Sequence, residues 1–121
     1  MTNIARNGRR TAMAAARRAA TLQDTDLDTL KAAASSVMKI DQRYRRANVN
    51  DKIALKPERD RAFTAYSLAR LKLLEDGVLT TAADLKKMQA LKAEIDAAAA
   101  MQDLIIAAAR VAAFLAKLAL K

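Results

Sequence analysis

Five arginines, Arg6, Arg9, Arg10, Arg17 and Arg18, fall within the first 23 residues, and no acidic residue interrupts them. Guanidinium groups without nearby carboxylates bind phosphate oxygens, with an affinity that falls steeply with salt and little preference for base sequence. Lys86 and Lys87 add a smaller pair of cations able to touch phosphate. Over the whole chain 22 lysines and arginines outnumber 13 aspartates and glutamates, a formal charge of +9. Such a balance attracts nucleic acid, anionic lipid and acidic proteins. Nucleic-acid backbone is the expected partner, and arginines that only face solvent are the structural alternative.

A second pattern lies near the other terminus, where Asp96, Asp103, Arg110 and Lys117 recur every seven residues in an otherwise apolar stretch. An ideal helix drifts only about 20° per heptad, so the four would share one face. Seven residues exceeds the spacing at which side chains pair along a helix, so these charges do not satisfy each other within one chain. Their signs are symmetric about a point between Ile106 and Ala107. An antiparallel two-fold pair of helices would set Asp103 against Arg110 and Asp96 against Lys117, each contact made twice. Ile106 and Phe114 would be the apolar part of that interface. A homo-oligomer is therefore expected, an antiparallel dimer if the helix is continuous. The alternative is the solvated face of a helix buried in its own bundle, in a structural or adaptor subunit whose partner is another protein.

Catalytic chemistry has little to draw on. The chain has no cysteine and no histidine, which removes thiol nucleophiles, thiolate and imidazole metal ligands and the commonest general base. The acids are scattered, without the Asp/Asn-rich loop of a calcium site. No enzymatic activity, cofactor or metal is expected. Freedom from cysteine also agrees with a cytoplasmic location.

These groups must be positioned by helices. The chain has 121 residues, one domain's worth, with two glycines, one proline and 3% aromatic residues, so strand and turn signals are nearly absent. About a quarter of the sequence is alanine, the best helix former but a poor contributor of buried area. The expected fold is all-α, a small bundle of about four helices over 1–121, with a long alanine-rich C-terminal helix. Residues 1–10 are expected as a basic arm and helices over 11–22, 25–47, 57–76 and 81–121. Thr11 and Thr25 are the expected N-caps of the first two helices, Thr25 with Asp28 imitating a capping box. Leu27, Leu30, Ala34, Val37, Ile40 and Tyr44 then form an apolar stripe.

Residues 48–56 read as a connector with Ile53 and Leu55 tucked against the bundle, and Pro57 as the first residue of the third helix. Phe63, Tyr66, Ala69, Leu73 and Leu74 give that helix a core face, and Gly77 a left-handed C-cap. Thr81 with Asp84 repeats the capping-box pattern, followed by Leu85, Met88, Leu91 and Ile95 facing inward. The third and fourth helices are expected to pack as an antiparallel hairpin. Leu71 to Leu85 resembles the short helical modules called SHOCT through its acid-Gly-apolar-apolar-Thr turn. The acidic pair and phenylalanine of those modules are here Ala82, Ala83, Asp84 and Leu85, and membership is not inferred.

A helix-turn-helix reading around Gly77 fails because Lys72, Asp76 and Lys86 occupy positions that should be apolar. A transmembrane reading of 97–120 fails on energy. Asp103, Arg110 and Lys117 cost about 2.5–3.5 kcal/mol each near mid-span, against about 0.3–0.6 returned per large apolar residue. One helix over 81–121 would be about 60 Å long, whereas a compact chain of this size is about 35 Å across. It must either break or reach another molecule.

Overall fold

In a computed structural model the backbone is described for residues 5–76 and 80–121, and side chains for residues 24–75 and 80–121. Among the described residues the fold is all-α, a four-helix bundle without strands: α1 Ala5–Arg46, α2 Val49–Asp76, α3 Ala82–Ala97 and α4 Met101–Ala119.

The first correction is that α1 is one helix of 42 residues, about 63 Å long, where a basic arm and two helices were expected. Asn7-Gly8 lies inside it, at the modest cost of about 1 kcal/mol that glycine carries in a helix interior. Thr25 lies inside this helix and not at the start of one. No proline interrupts residues 11–47, so main-chain bonding continues past the cap-like pattern. Around it the polar side chains take other partners: the Thr29 hydroxyl donates back to the Thr25 carbonyl at 2.8 Å, and Asp26 turns into the core.

The expected connector at 48–56 is the first part of α2. Asn48 is the cap: its side-chain oxygen accepts from the Asp51 N–H at 2.9 Å, and its carbonyl receives the Lys52 N–H at 2.9 Å. Leu55 is fully buried while Ile53 is exposed, as the helical period dictates. Pro57 therefore sits inside α2 and deprives the Ile53 carbonyl of its helical donor. Both residues face solvent, where water can take that carbonyl.

Thr81 does cap α3: its hydroxyl accepts from the Asp84 N–H at 3.1 Å and the Asp84 carboxylate accepts from the Thr81 N–H at 3.0 Å. The segment drawn as one helix over 81–121 is two, broken at Ala98–Ala100. Folding back buries Leu104, Ala107, Ala108, Val111, Ala112, Leu115 and Leu118 of α4. A straight continuation would leave that face in water, at about 1.5–3 kcal/mol for each leucine.

Paired side chains fix the layout. Asp26 meets Thr80 and Lys121 meets Asp84 at one end, while Arg43 meets Ala98 and Ala99 at the other. Successive helices thus alternate in direction. α1 and α4 each pack on both α2 and α3 and also touch each other, whereas α2 and α3 make no contact among the described residues. The expected hairpin of those two is therefore two diagonal helices. α2 runs parallel to α4 and contributes Ala62, Ala65 and Ala69 to the core; α4 contributes Ala108 and Ala112. Small side chains let the two backbones approach closely. Val37 and Ile40 of α1, with Met88, Leu91 and Ile95 of α3, supply the bulkier part. Leu27 and Leu74 are exposed instead, at 50% and 70%.

Candidate assembly surface and basic segment

The outer face of α4 presents Asp103, Ile106, Arg110, Ala113 and Lys117, all exposed, with Ile106 at 51%. Asp96, the first of the four heptad-spaced charges, belongs to α3 and accepts from Lys92 at 2.9 Å. The break at Ala98–Ala100 separates it from the other three, so the four do not lie along one continuous helix. Arg110 donates from Nη1 to Glu94 Oε1 of α3 at 2.9 Å. Among the described residues no ion pair involves Asp103 or Lys117. Ile106 and Asp103 also line a shallow hollow of about 310 Å³ with Glu94, Ala97, Ala98 and Ala107. Phe114 is half-buried and packs against the core, so it supports α4 from beneath.

Arg6, Arg9, Arg10, Arg17 and Arg18 lie on the backbone of α1, but their side chains lie outside the described residues, as does Gly77. Lys86 and Lys87 are exposed on the first turns of α3.

Three polar clusters escape the sequence reading. Asp26, 1% exposed, accepts from the Thr80 N–H at 2.8 Å and from the Thr80 hydroxyl at 2.6 Å, which pins the chain between α2 and α3 to α1. Arg59 of α2 lies over the rings of Tyr44 and Phe63, 4.9 and 5.1 Å from their centroids, and donates to Asp41 at 2.7 and 2.9 Å. The guanidinium adds a cation–π contact to both rings, while Tyr44 also packs against the core as its place in the apolar stripe predicts. Hydrogen bonds to Asp41 and then Asp60 raise the Arg59 pKa further. Lys56 and Arg59 hold the Asp60 carboxyl below the usual carboxylate range, and Asp60 in turn raises Lys56. Arg43 is the third cluster, its guanidinium on the Ala98 and Ala99 carbonyls. Of these, only the Lys56 to Asp60 pair, four residues apart on α2, had a local signal; Asp26 and Arg43 find partners more than 50 residues away.

Between α2 and α4 an apolar groove of about 570 Å³ runs past Arg61, Thr64, Leu68, Ala109, Ala113 and Ala116. It continues to Leu71 and Leu120. Among the described residues no group of three or more acids could hold a metal ion, and no helix is long and apolar enough to cross a membrane.

Among the described residues the geometry defines an all-α helical bundle. Beyond that, no family model matches the chain, and no curated protein or solved structure matches it at a significant level.

Proposed function

We propose that the protein is a small, non-enzymatic assembly protein of the cytoplasm that pairs with a second copy through α4 and holds nucleic-acid backbone through Arg6, Arg9, Arg10, Arg17 and Arg18. The observation that carries the reading is the placement of Asp103 and Arg110 on the same exposed face of α4, with exposed Ile106 between them. In an antiparallel two-fold contact each Asp103 meets the partner copy's Arg110, and the two Ile106 side chains meet near the axis. Glu94 lets go of Arg110 at little cost, because an exposed pair contributes only about 0–1 kcal/mol. Asp96 and Phe114 take no part in this contact, and Lys117 lies at its rim.

The nucleic-acid half rests on charge. Five of the nine net positive charges come from the acid-free first 23 residues. Light scattering through the peak of natively purified, nuclease-free material, with absorbance at 260 and 280 nm, tests both halves. A dimer whose 260/280 ratio falls in high salt supports the reading; a monomer with a protein-like ratio at every salt concentration sinks it.

A second reading, a structural or adaptor subunit with no nucleic-acid role, is favoured by one observation. Leu68 and Leu71, each 52% exposed, line the apolar groove beside α4. A salt-dependent mobility shift with an arbitrary duplex separates the two readings.

A further inference from the structure

The linker between α3 and α4 is Ala98, Ala99 and Ala100, three residues of the type with the highest helix propensity. Nothing local asks for a break there. Ala98 leaves α3 at φ −71°, ψ 106°, and Ala100 opens α4 at φ −77°, ψ 147°, extended conformations open to any residue. Alanine at the N-cap offers no side-chain acceptor to the free N–H groups of α4. The break is held from outside. Arg43 occupies the carbonyls of Ala98 and Ala99, and the inner face of α4, with Leu104, Val111, Leu115 and Leu118, fills a slot in the bundle. That face needs the slot to stay out of water, but the slot of a second copy serves equally.

We propose that Ala98–Ala100 straightens, joining α3 and α4 into one helix, and that two copies exchange α4, each filling the other's slot. The register follows from contacts already present. Arg110 meets Glu94 and Lys121 meets Asp84, an antiparallel arrangement of α3 and α4 centred near Gln102. A two-fold axis near Gln102 converts the same ion pairs into contacts between copies, each made twice. The Ala98 and Ala99 carbonyls then accept from the N–H groups of Gln102 and Asp103, and Arg43 is released. Exchange uses the inner face of α4, so it stands apart from the outer-face pairing by Asp103 and Arg110.

Thr64 on α2 and Ala113 on α4 are exposed and line the same groove, and the chain has no cysteine of its own. The double variant Thr64→Cys/Ala113→Cys therefore carries the only thiols. They face each other within one molecule when the linker is bent and between two molecules after exchange. The dimer fraction of the full chain is treated with a short bis-maleimide and run on denaturing electrophoresis.

Exchange predicts an adduct of two-chain mass, and Arg43→Ala should enrich it several-fold. Ala100→Pro suits the bent form, whose φ at that position is close to proline's, and disfavours a continuous helix by removing the N–H that would bond the Asp96 carbonyl; it should sharply lower the two-chain adduct. Should that variant fail to fold, Ala100→Asp, which caps a separate α4, should lower the adduct in the same direction. A dimer that gives only one-chain adducts overturns exchange while leaving outer-face pairing intact. An Arg43→Ala chain that stays monomeric at high concentration overturns exchange outright.

Discussion

The guanidinium of Arg43 donates to the carbonyl oxygens of Ala98 and Ala99, at 2.5 and 2.9 Å, and so caps the C-terminus of a helix more than 50 residues away. Helices commonly end on a glycine whose left-handed backbone lets later N–H groups bond the last carbonyls. α3 ends on alanine in an extended conformation, and a side chain from α1 supplies the donors.

Arg43→Ala should therefore destabilise the bundle by about 1–2 kcal/mol, from two charge-assisted bonds lost and the part-buried Ala98 carbonyl left short of a partner, while water can reach the exposed Ala99 carbonyl. Arg43→Lys, with a compact ammonium in place of the planar fork, should recover less than half. Urea unfolding followed by circular dichroism checks both, and an alanine variant as stable as the parent would show that water caps α3 equally well.

Asp26 and Thr80 make a second long-range lock. Asp26→Ala strands the buried Thr80 N–H and hydroxyl and should cost about 3 kcal/mol. Asp26→Asn keeps an accepting oxygen and should cost clearly less. Hydrogen exchange at the Thr80 amide should rise in the alanine variant before the core amides do.

Thr81→Ala removes one arm of the capping box and should lower stability by about 1 kcal/mol, without altering the helical signal of the other three helices. A loss near zero in denaturant unfolding would mean that Asp84 alone sustains the start of α3.

Burial opposes ionisation of Asp84, but the hydrogen bonds from Lys121 and from the Thr81 backbone together outweigh it and hold the carboxyl below its usual range. A carboxyl whose folded pKa lies below its unfolded value stabilises the fold above about pH 4, and that contribution is lost as pH falls through the folded pKa. Asp60 acts in the same direction. Lys56 and Arg59, raised when folded, contribute below their unfolded pKa values and lose that contribution only as strong alkali passes the folded ones. Stability should thus fall on acidification below about pH 4 and stay level through neutrality. In Lys121→Ala, an NMR titration of the Asp84 carboxyl should move its pKa upward; an unmoved value would discount the ion pair.

For the outer-face dimer, Arg110→Asp sets acids against acids across the two-fold axis and should weaken association about tenfold, the equivalent of roughly 1.4 kcal/mol spread over two exposed pairs. Adding Asp103→Arg should restore it, since the Glu94 contact is lost in both variants and cannot explain recovery. Equal masses by light scattering for parent and both variants would exclude this face.

On duplex DNA, five phosphate contacts would make the logarithm of affinity fall with the logarithm of salt at a slope of about −4.5, and Arg17→Ala/Arg18→Ala should reduce that slope by about two. A slope unchanged by the double substitution would take those arginines off the phosphate.

Helical class was legible because it rests on composition and on three- and four-residue periodicity, both local. The Thr81 to Asp84 cap, the inward Val37, Ile40, Met88, Leu91 and Ile95, and the outward Lys86 and Lys87 are all set within a turn or two of helix. The Asn48 cap was equally local and was obscured by Pro57, whose usual place is a first turn. Of the candidate interface, Asp103, Ile106, Arg110 and Lys117 share the exposed face expected of them, while Asp96 and Phe114 do not.

What lay beyond the sequence is every choice between two locally acceptable alternatives. Thr25 to Asp28 could have opened a helix, and Ala98 to Ala100 could have continued one; propensity favours the opposite of what occurs at the second site. Sequence alone determined that this chain is helical, basic at its start and apolar along α4. Only the tertiary structure decided where the long C-terminal stretch breaks, because the groups that stabilise the break, the Arg43 guanidinium and the slot that buries α4, are brought there by packing.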